Sequence, residues 1–592
     1  MRRSEPSSVS GIDRTNRNTA LASALVEELA RCGVRHAVVA PGSRSTPVAL
    51  ALWRHPEIEV VVHVDERSGG FLALGAAQAG GRPAVVACTS GSAAANLHPA
   101  VVEADEAAVP LIVLTSDRPP ELRGIGAGQT IDQLKLYGPA ARWFCEVGTH
   151  DADDAGLIHM RSVACRAYAS ARGEPRPGPV HLNLPWRDPL GPEPHEGDVT
   201  AASRLALEGR PGRPLTAVGP PGAQEPDASQ VDELAARLAT SPRGLILCGR
   251  DPVSRAEAIA SLAANAGYPI LAEPTSQLRL GGHDRELVVW PYDSIARLRP
   301  PELAPELVIR FGDMPTSKAL RRWLGEAEDL HEVVVDPLYG WNDPNRRAAT
   351  LLRADPTRAA EALGRRLGRR RNDDWTGAWM AVAGAAGEAL RDALAEIGRP
   401  TEPGVHATLG GLYADGELVY TASSMPIRDQ EAFLAAGPAR VRFLCNRGAN
   451  GIDGLVSSGI GAAVASGRPT WIVLGDLCLI HDMNGLASLP ATSVPVRIVV
   501  LNNGGGGIFE FLPQAEQIER EEFEALFGTP SGLSVERIAH LHELKYRRID
   551  NLGELGDLQR ETRVIAEVPV DRRQNVTVHR MLAEAVAAAS GA

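Results

Sequence analysis

Short apolar runs bounded by turn residues recur along the chain, separated by stretches whose apolar positions return at helical spacing. The runs at 36–40, 59–64, 84–88, 111–115 and 180–184 read as strands. Between the first residues and these strands, 19–31 reads as a helix. Leu21, Leu25 and Leu29 lie four apart, Asn18 or Thr19 can cap it, and Gly33 can end it. The stretch 68–79 reads as a small-residue helix, and Thr89-Ser90-Gly91-Ser92 opens another. Strands that alternate with helices predict a parallel, doubly wound sheet. Strand-like runs recur at 244–248, 269–272, 307–311 and 333–336, which predicts a second α/β domain. A third, from Trp375 onward, contains the runs 469–474 and 494–501, whose continuous apolar character fits strands buried on both faces. The segment 189–227 is dense in Pro and Gly and reads as a linker; 365–374 is a charged break. The expected division is 1–188, a linker at 189–227, 228–370 and 371–592, giving three doubly wound α/β domains with parallel sheets.

Polar residues gather where these strands are expected to end, and in an open parallel sheet ligands bind at the carboxyl ends of strands. Asp476 ends one run, and Asn502 and Asn503 end another, followed by Gly504 to Gly507. A carboxylate and an amide on two strand ends can hold one hard cation, and Mg²⁺ usually completes its oxygen octahedron with phosphate oxygens. The glycines let backbone approach a phosphate and present N–H groups to it. The stretch therefore reads as a Mg²⁺–diphosphate site, with Mn²⁺ equally suited to oxygen ligands. Gly-Asp and Asn-Asn-Gly are also common turn dipeptides. Pro41 to Pro47, Asp65-Glu66-Arg67 and Ser116 to Glu121 lie at strand tips of the first domain, and Thr316-Ser317-Lys318 at one of the second.

Composition narrows the class. A chain of 592 residues has room for several domains, and 44% hydrophobic residues supply packed cores. A net charge of −12 argues against a nucleic-acid groove, without excluding a local basic pocket. The seven cysteines are scattered and form no CxxC pair, so reduced thiols in a cytosol are expected and no zinc site. Residues 1–18 are polar with no apolar core, so they are expected to be no secretory leader, and the first of them to be disordered. No apolar run approaches the roughly 20 residues of a membrane span.

The spacing of Gly475-Asp476 and Asn502-Asn503 is also that of thiamine-diphosphate enzymes. The stretch from Glu66 through SGGFLALGAAQAGG (68–81) and CTSGSAAANLHP (88–99) resembles the pyrimidine-binding domain of those of the acetolactate synthase and pyruvate oxidase type. Within that group PGSRSTP (41–47), HVDER (63–67), SDRPPELRGIGAGQTI (116–131), CNRGANGIDG (445–454) and GDL in place of GDG (475–477) resemble the menaquinone-pathway synthase family. That family joins 2-oxoglutarate to isochorismate with loss of CO₂.

The resemblance implies thiamine diphosphate and Mg²⁺ (or Mn²⁺) as cofactors, with Asp476, Asn503 and the Gly505 carbonyl as metal ligands. It implies that Glu66 is the catalytic glutamate, hydrogen-bonded to N1′ of the cofactor's aminopyrimidine. Such a group must be buried and able to share a proton, hence have a raised pKa; the bland alternative is a surface carboxylate paired with Arg67. Ile452 would support the bend of the cofactor, or be plain core, and Ile508 and Phe509 would line the same wall. Ser43, Arg44, Arg118, Gln129, Lys318, Ser424, Arg428 and Arg447 would contact substrate. Both substrates are di-anions, and arginine grips carboxylates with two parallel hydrogen bonds. The first domain would bind the pyrimidine and the third the diphosphate, between subunits of a homodimer or homotetramer. One departure is Gly504, where the family often has a third Asn, and its missing side chain is expected to weaken diphosphate contacts. The alternative reaction is an acetolactate synthase-like carboligation of pyruvate, which needs fewer arginines. A nicotinamide or flavin oxidoreductase should show G-x-G-x-x-G, which 504–507 does not fit. Effector binding in the central domain is left open.

Overall fold

The computed structural model describes residues 12–173, 176–219, 222–250, 256–338, 340–368 and 372–591. The disorder expected of the first residues falls on 1–11, outside that range. Three parallel sheets carry the fold, as the alternation of strands and helices predicts.

The first sheet contains β1 (His36–Val39), β2 (Glu59–Val62), β3 (Ala84–Cys88), β4 (Leu111–Asp117), β5 (Trp143–Glu146) and β6 (Pro179–Pro185), in the order β2-β1-β3-β4-β6-β5. β3 and β4 are buried along their whole length, which is why β3 and the first four residues of β4 are continuous apolar runs; β4 ends in the buried polar Thr115, Ser116 and Asp117. The strand order reverses between β1 and β3, the switch point where open α/β sheets bind ligands. The first helix, Arg17–Cys32, begins earlier than its apolar spacing suggests. Its cap is Asn16, whose side chain accepts from Thr19 N while the Thr19 hydroxyl accepts from Asn16 N, so Thr19 closes the box rather than opening the helix. The second sheet contains β7 (Gly244–Cys248), β8 (Ile270–Ala272), β9 (Leu307–Phe311), β10 (His331–Val335) and β11 (Ala348–Leu352), ordered β11-β10-β9-β7-β8. The third contains β12 (Leu418–Thr421), β13 (Arg442–Leu444), β14 (Thr470–Gly475), β15 (Val496–Asn502), β16 (Lys545–Arg548) and β17 (Arg563–Pro569), ordered β13-β12-β14-β15-β17-β16. Its switch point lies between β12 and β14.

The chain divides into two compact units. One takes the described residues of 1–221 with 446–468 and 481–496; the other takes those of 222–445 with 469–480 and 497–592. In the first, helix Glu66–Gly80 packs on helix Leu455–Ser466 so closely that a Cβ on Gly75 would stand 1.9 Å from the Ser458 carbonyl oxygen. The Pro-rich segment after β6 is tied to this unit: Asn16 Nδ2 donates to the carbonyls of Gly191 (2.8 Å) and Glu193 (3.0 Å), and Arg161 Nε to that of Ala206 (3.0 Å). In the second unit, one apolar core joins strands of the second sheet to helices that come before, between and after the strands of the third along the chain, with Leu245, Trp323, Trp379, Phe433 and Leu582 in a single cluster. Arg279, fully buried, adds to it by donating to the carbonyls of Glu431 (3.1 Å) and Leu434 (2.6 Å).

All seven cysteines are free thiols, five of them buried. Among the described residues no helix is long and apolar enough to cross a membrane.

Candidate active site

In the first unit the carboxyl ends of β1 to β4 bring several expected residues together. Arg44 follows β1, Ser90 follows β3 and Arg118 follows β4. Arg118 donates from Nη1 to Ser90 Oγ (2.7 Å) and from Nη2 to the Gly128 carbonyl (3.0 Å). Gln129, with φ at +57°, donates from Nε2 to the Ser90 carbonyl (2.9 Å) and accepts at its own carbonyl from Ser90 Oγ (2.9 Å). Ser90 thus ties Arg118 and Gln129 into one constellation. Arg44 donates from Nη1 to the Trp186 carbonyl (2.9 Å), while its buried Nε has no hydrogen-bond partner among the described residues. Burial and then the neighbouring Arg118 charge pull its pKa below the usual arginine value. Two guanidiniums close enough for one to lower the other's pKa, one of them with an unused buried donor, suit an anionic guest. Ser43 is exposed, and its carbonyl accepts from Thr46 N (3.2 Å) and Thr46 Oγ1 (2.7 Å) as helix Thr46–Arg54 opens.

Glu66 opens helix Glu66–Gly80 beyond the end of β2, with Asp65 as its cap. It is half-buried, and Asn96 Nδ2 donates to its Oε2 at 3.5 Å. The full enclosure expected of a proton-sharing glutamate is not reached within the chain, because its neighbours Val62 and Val64 stand 53% and 78% exposed. Nor does Arg67 take the surface pairing; its Nη2 donates to the His481 carbonyl at 2.7 Å. Arg447 and Ile452, both half-buried, sit on a loop fixed by Glu103, whose carboxylate accepts from Gly448 N (2.8 Å) and Ala449 N (2.6 Å). Glu103 is 2% exposed, and no sequence signal separates it from an ordinary helix carboxylate.

In the second unit β14 ends at Gly475 and Asp476 starts the helix Asp476–His481. Asp476 is 4% exposed, and burial lifts its pKa to about 6 against the pull of backbone N–H groups, that of Gly505 among them. Asn503 follows β15 and donates from Nδ2 to Glu402 Oε1 at 2.9 Å. Asp476 Oδ1 and Asn503 Oδ1 are both buried and without a hydrogen-bond partner among the described residues. Buried polar atoms are normally satisfied, so two orphaned oxygens from neighbouring strand ends fit a hard cation, which takes oxygen ligands. Gly505 has φ +138°, its carbonyl accepts from Gly507 N (3.0 Å), and a Cβ there would stand 1.9 Å from the Gly528 carbonyl oxygen. Gly504 has φ +70° and open space around it, with Arg572 Nη1 the nearest atom to a built Cβ at 3.6 Å. Glycine and asparagine both tolerate that left-handed backbone, so its exchange for the family's Asn leaves the loop's path intact. Ile508 and Phe509 are half-buried on the 3₁₀ turn Gly507–Phe511, and the Phe509 ring packs on Phe527 with centroids 5.6 Å apart.

Ser424 follows β12 with φ at +72°, a strained value for a side-chain-bearing residue, and its carbonyl accepts from Arg428 Nη1. Lys318 is exposed at the first position of helix Lys318–Glu326. Its loop is anchored by Ser317 Oγ donating to Asp293 Oδ1 (2.5 Å) and Thr316 N donating to Glu273 Oε2 (2.9 Å).

Sequence reasoning missed the buried polar chain behind Asn503. Burial, then the facing Asp429, raises the Glu402 pKa to about 8. Asp429 Oδ1 lies 3.2 Å from His579 Nε2, and His406 is held neutral by burial, its pKa lowered to about 4. The only local signal is Thr401-Glu402-Pro403, a helix-opening pattern: Thr401 Oγ1 accepts from Gly404 N at 3.0 Å and Pro403 lies in the first turn.

Two parallel-sheet domains with polar clusters at their strand ends, matched to the two domain models below, define the class: the chain is a thiamine-diphosphate enzyme. Its residues 19–136 match the family model of the thiamine pyrophosphate enzyme N-terminal TPP binding domain, and 439–569 that of the C-terminal TPP binding domain. A benzoylformate decarboxylase from Polynucleobacter necessarius is similar in fold, with a TM-score of 0.67 at 17% identity over 94% of this chain and 99% of that one. The particular family follows from full-length relatives. The chain is 44% identical to the 2-succinyl-5-enolpyruvyl-6-hydroxy-3-cyclohexene-1-carboxylate synthase of Myxococcus xanthus, over 97% of this chain and 98% of the relative. It is 42% identical to the synthase of that name from Geobacillus kaustophilus, over 96% and 97%. The chain belongs to the 2-succinyl-5-enolpyruvyl-6-hydroxy-3-cyclohexene-1-carboxylate synthase family.

Proposed function

We propose that the chain decarboxylates 2-oxoglutarate and joins the remaining four-carbon unit to isochorismate, releasing CO₂ in menaquinone or phylloquinone biosynthesis. The observation that carries this reading is the similarity over 97% of the chain to a synthase named for that product. The basic tips of β1 and β4 agree with it, since both substrates are di-anions. Thiamine diphosphate, when bound, supplies the nucleophile and the electron sink.

The protein's own part is position and charge. Asp476 Oδ1, Asn503 Oδ1 and the Gly505 carbonyl would hold Mg²⁺ or Mn²⁺, and through it a diphosphate, with Ile452, Ile508 and Phe509 against the cofactor. Glu66 would hold a proton shared with the pyrimidine N1′. Ser43, Arg44, Arg118, Gln129, Lys318, Ser424, Arg428 and Arg447 would bind the substrate carboxylates and hydroxyls and exclude water. In this reading 1–188 binds the pyrimidine, 228–370 is a central domain joined through 189–227, and 371–592 binds diphosphate and metal. The half-burial of Glu66 beside exposed Val62 and Val64 supports a homodimer or homotetramer in which a partner subunit completes that pocket. The expected location is the cytoplasm.

The test follows isochorismate by its ultraviolet absorbance with 2-oxoglutarate, thiamine diphosphate and Mg²⁺ present, each omitted in turn. Loss that requires all of them is the expected result. No loss, but CO₂ release from pyruvate, would replace the reaction with a pyruvate carboligation.

A further inference from the structure

Asn503 has a side chain that can be placed either way round. Its amide has a carbonyl end that accepts and an NH₂ end that only donates, and the two ends are nearly the same shape. Only the carbonyl end can serve a cation. Which end faces the Asp476 carboxylate therefore decides whether the strand end can take a cation or is closed by an amide–carboxylate hydrogen bond. The backbone of the loop does not settle this, because rotation about the last side-chain bond exchanges the two ends without moving the chain.

One contact does settle it. Nδ2 of Asn503 donates to Glu402 Oε1 at 2.9 Å, and Oδ1 is left buried and without a partner. Glu402 is 1% exposed. The Glu402 carboxyl shares a hydrogen bond with Asp429, and the oxygen turned to Asn503, Oε1, is the accepting one, so the reversed amide would set oxygen against oxygen. Glu402 is itself fixed by the chain: it is the first residue of helix Glu402–Leu412, Thr401 caps that helix, and Pro403 follows. Asp429 faces its carboxyl from helix Met425–Phe433. The acceptor is thus held on a helix start, which is stiffer than the glycine loop that carries Asn503.

We propose that Glu402 is a positioning residue for the metal site: it accepts from Asn503 Nδ2 and thereby turns Asn503 Oδ1 toward the cation. This rests on the reading of Asn503 as a metal ligand given above. Glu402 touches neither the cation nor the substrate in this assignment. Its effect is read in metal affinity, and partners that orient a ligand in this way are worth about 10- to 100-fold in affinity.

The test measures Mn²⁺ binding to the full chain with thiamine diphosphate present, from the electron paramagnetic resonance signal of free Mn²⁺. Four proteins are compared: the natural chain, Asn503→Ala, Glu402→Leu and Glu402→Gln. Circular dichroism and the thermal midpoint check that each is folded. Glutamine keeps an accepting oxygen, and its NH₂ can donate to Asp429, which aims that oxygen at Asn503. The expected result is weaker Mn²⁺ binding by about 10- to 100-fold in Glu402→Leu and within about threefold of the natural chain in Glu402→Gln. Unchanged binding in Glu402→Leu, with binding lost in Asn503→Ala, would overturn the proposal and leave the metal reading in place. Equal losses in Glu402→Leu and Glu402→Gln would overturn it as well, since charge rather than orientation would then be at work. Unchanged binding in Asn503→Ala would overturn the metal reading itself.

Discussion

The two candidate clusters, one in each compact unit, are finished to different degrees. Asp476 is buried and Asn503 half-buried, their orientations are held by Glu402 and the Gly505 backbone, and the two oxygens left over are themselves buried and have no partner among the described residues. Around Glu66 the surroundings are open: the carboxylate is half-buried, one amide reaches it at 3.5 Å, and Val64 beside it is mostly exposed. A metal site gains from being assembled within one unit, because misplacing an oxygen ligand by a fraction of an ångström weakens octahedral binding. A proton-sharing glutamate needs low dielectric around it, and a second surface can supply that after folding. The first cluster therefore reads as built in advance and the second as awaiting a partner.

The comparison breaks most visibly at Glu66. Glu66→Gln should lower kcat by about 10²- to 10⁴-fold, the range of a positioned acid–base group, with the circular dichroism spectrum and thermal midpoint unchanged. Wild-type turnover in that variant would end the assignment. The next largest effect separates two adjacent glycines of the metal loop. Gly505→Ala puts a methyl 1.9 Å from the Gly528 carbonyl oxygen at φ +138°, so the loop must move, and metal-dependent cofactor binding should fall by at least tenfold by calorimetry. Gly504→Asn has room and a backbone that asparagine tolerates, so it should fold normally and bind the cofactor at least as tightly as the natural chain. Equal losses in both would mean that the loop is not as fixed as its contacts imply.

The same contrast governs what could be read from the sequence. The strand runs, the tip residues and the glycine loop were legible, because buried parallel strands are continuous apolar strings and strand tips carry the chemistry. Lys545–Arg548 was not, since an edge strand with the sequence KYRR has no apolar run. Arg442–Leu444 and Trp143–Glu146 lie at sheet edges in the same way. Glu402 and Asp429 escaped because nothing about a Glu after a Thr cap, or an Asp beside Arg428, says that the fold will bury them against each other. Asn16 escaped because its capping role depends on the Thr19 hydroxyl, which apolar spacing ignores. Glu402 was hidden by distance along the chain, since it meets a partner 101 positions away, whereas Asn16 meets Thr19 only three positions on and was hidden because the contact is polar.

A smaller effect sharpens the open cluster. Arg44 has a buried Nε without a hydrogen-bond partner among the described residues and the Arg118 charge near enough to lower its pKa. Arg44→Ala removes a charged donor worth about 1.5–3 kcal/mol to a bound carboxylate. The KM for one of the two di-anionic substrates should rise by about 10- to 100-fold, with kcat reduced much less, as for an interaction made equally in the ground and transition states. A drop in kcat with KM unchanged would move Arg44 from binding to the chemical step.

The weakest effect tests whether the open cluster is open only at its surface. His181 lies in β6 in the core beneath the tips, with its Nε2 2.7 Å from Thr115 Oγ1, and burial lowers its pKa to about 3. The sign follows from linkage. The folded chain keeps this ring neutral, while the unfolded chain protonates it below about 6.5. The contribution of a neutral His181 is therefore fully present above pH 6.5 and is lost progressively as pH falls toward the folded value. His181→Asn should cost about 1–3 kcal/mol at pH 8 through the lost hydrogen bond to Thr115. That cost should shrink from pH 6.5 to pH 5, because only the natural chain loses stability there. Denaturant midpoints of both proteins at the two pH values measure the difference. A cost that stays constant with pH would mean that the ring is hydrated in the fold, and the core beneath the tips would then be as open as the glutamate above it.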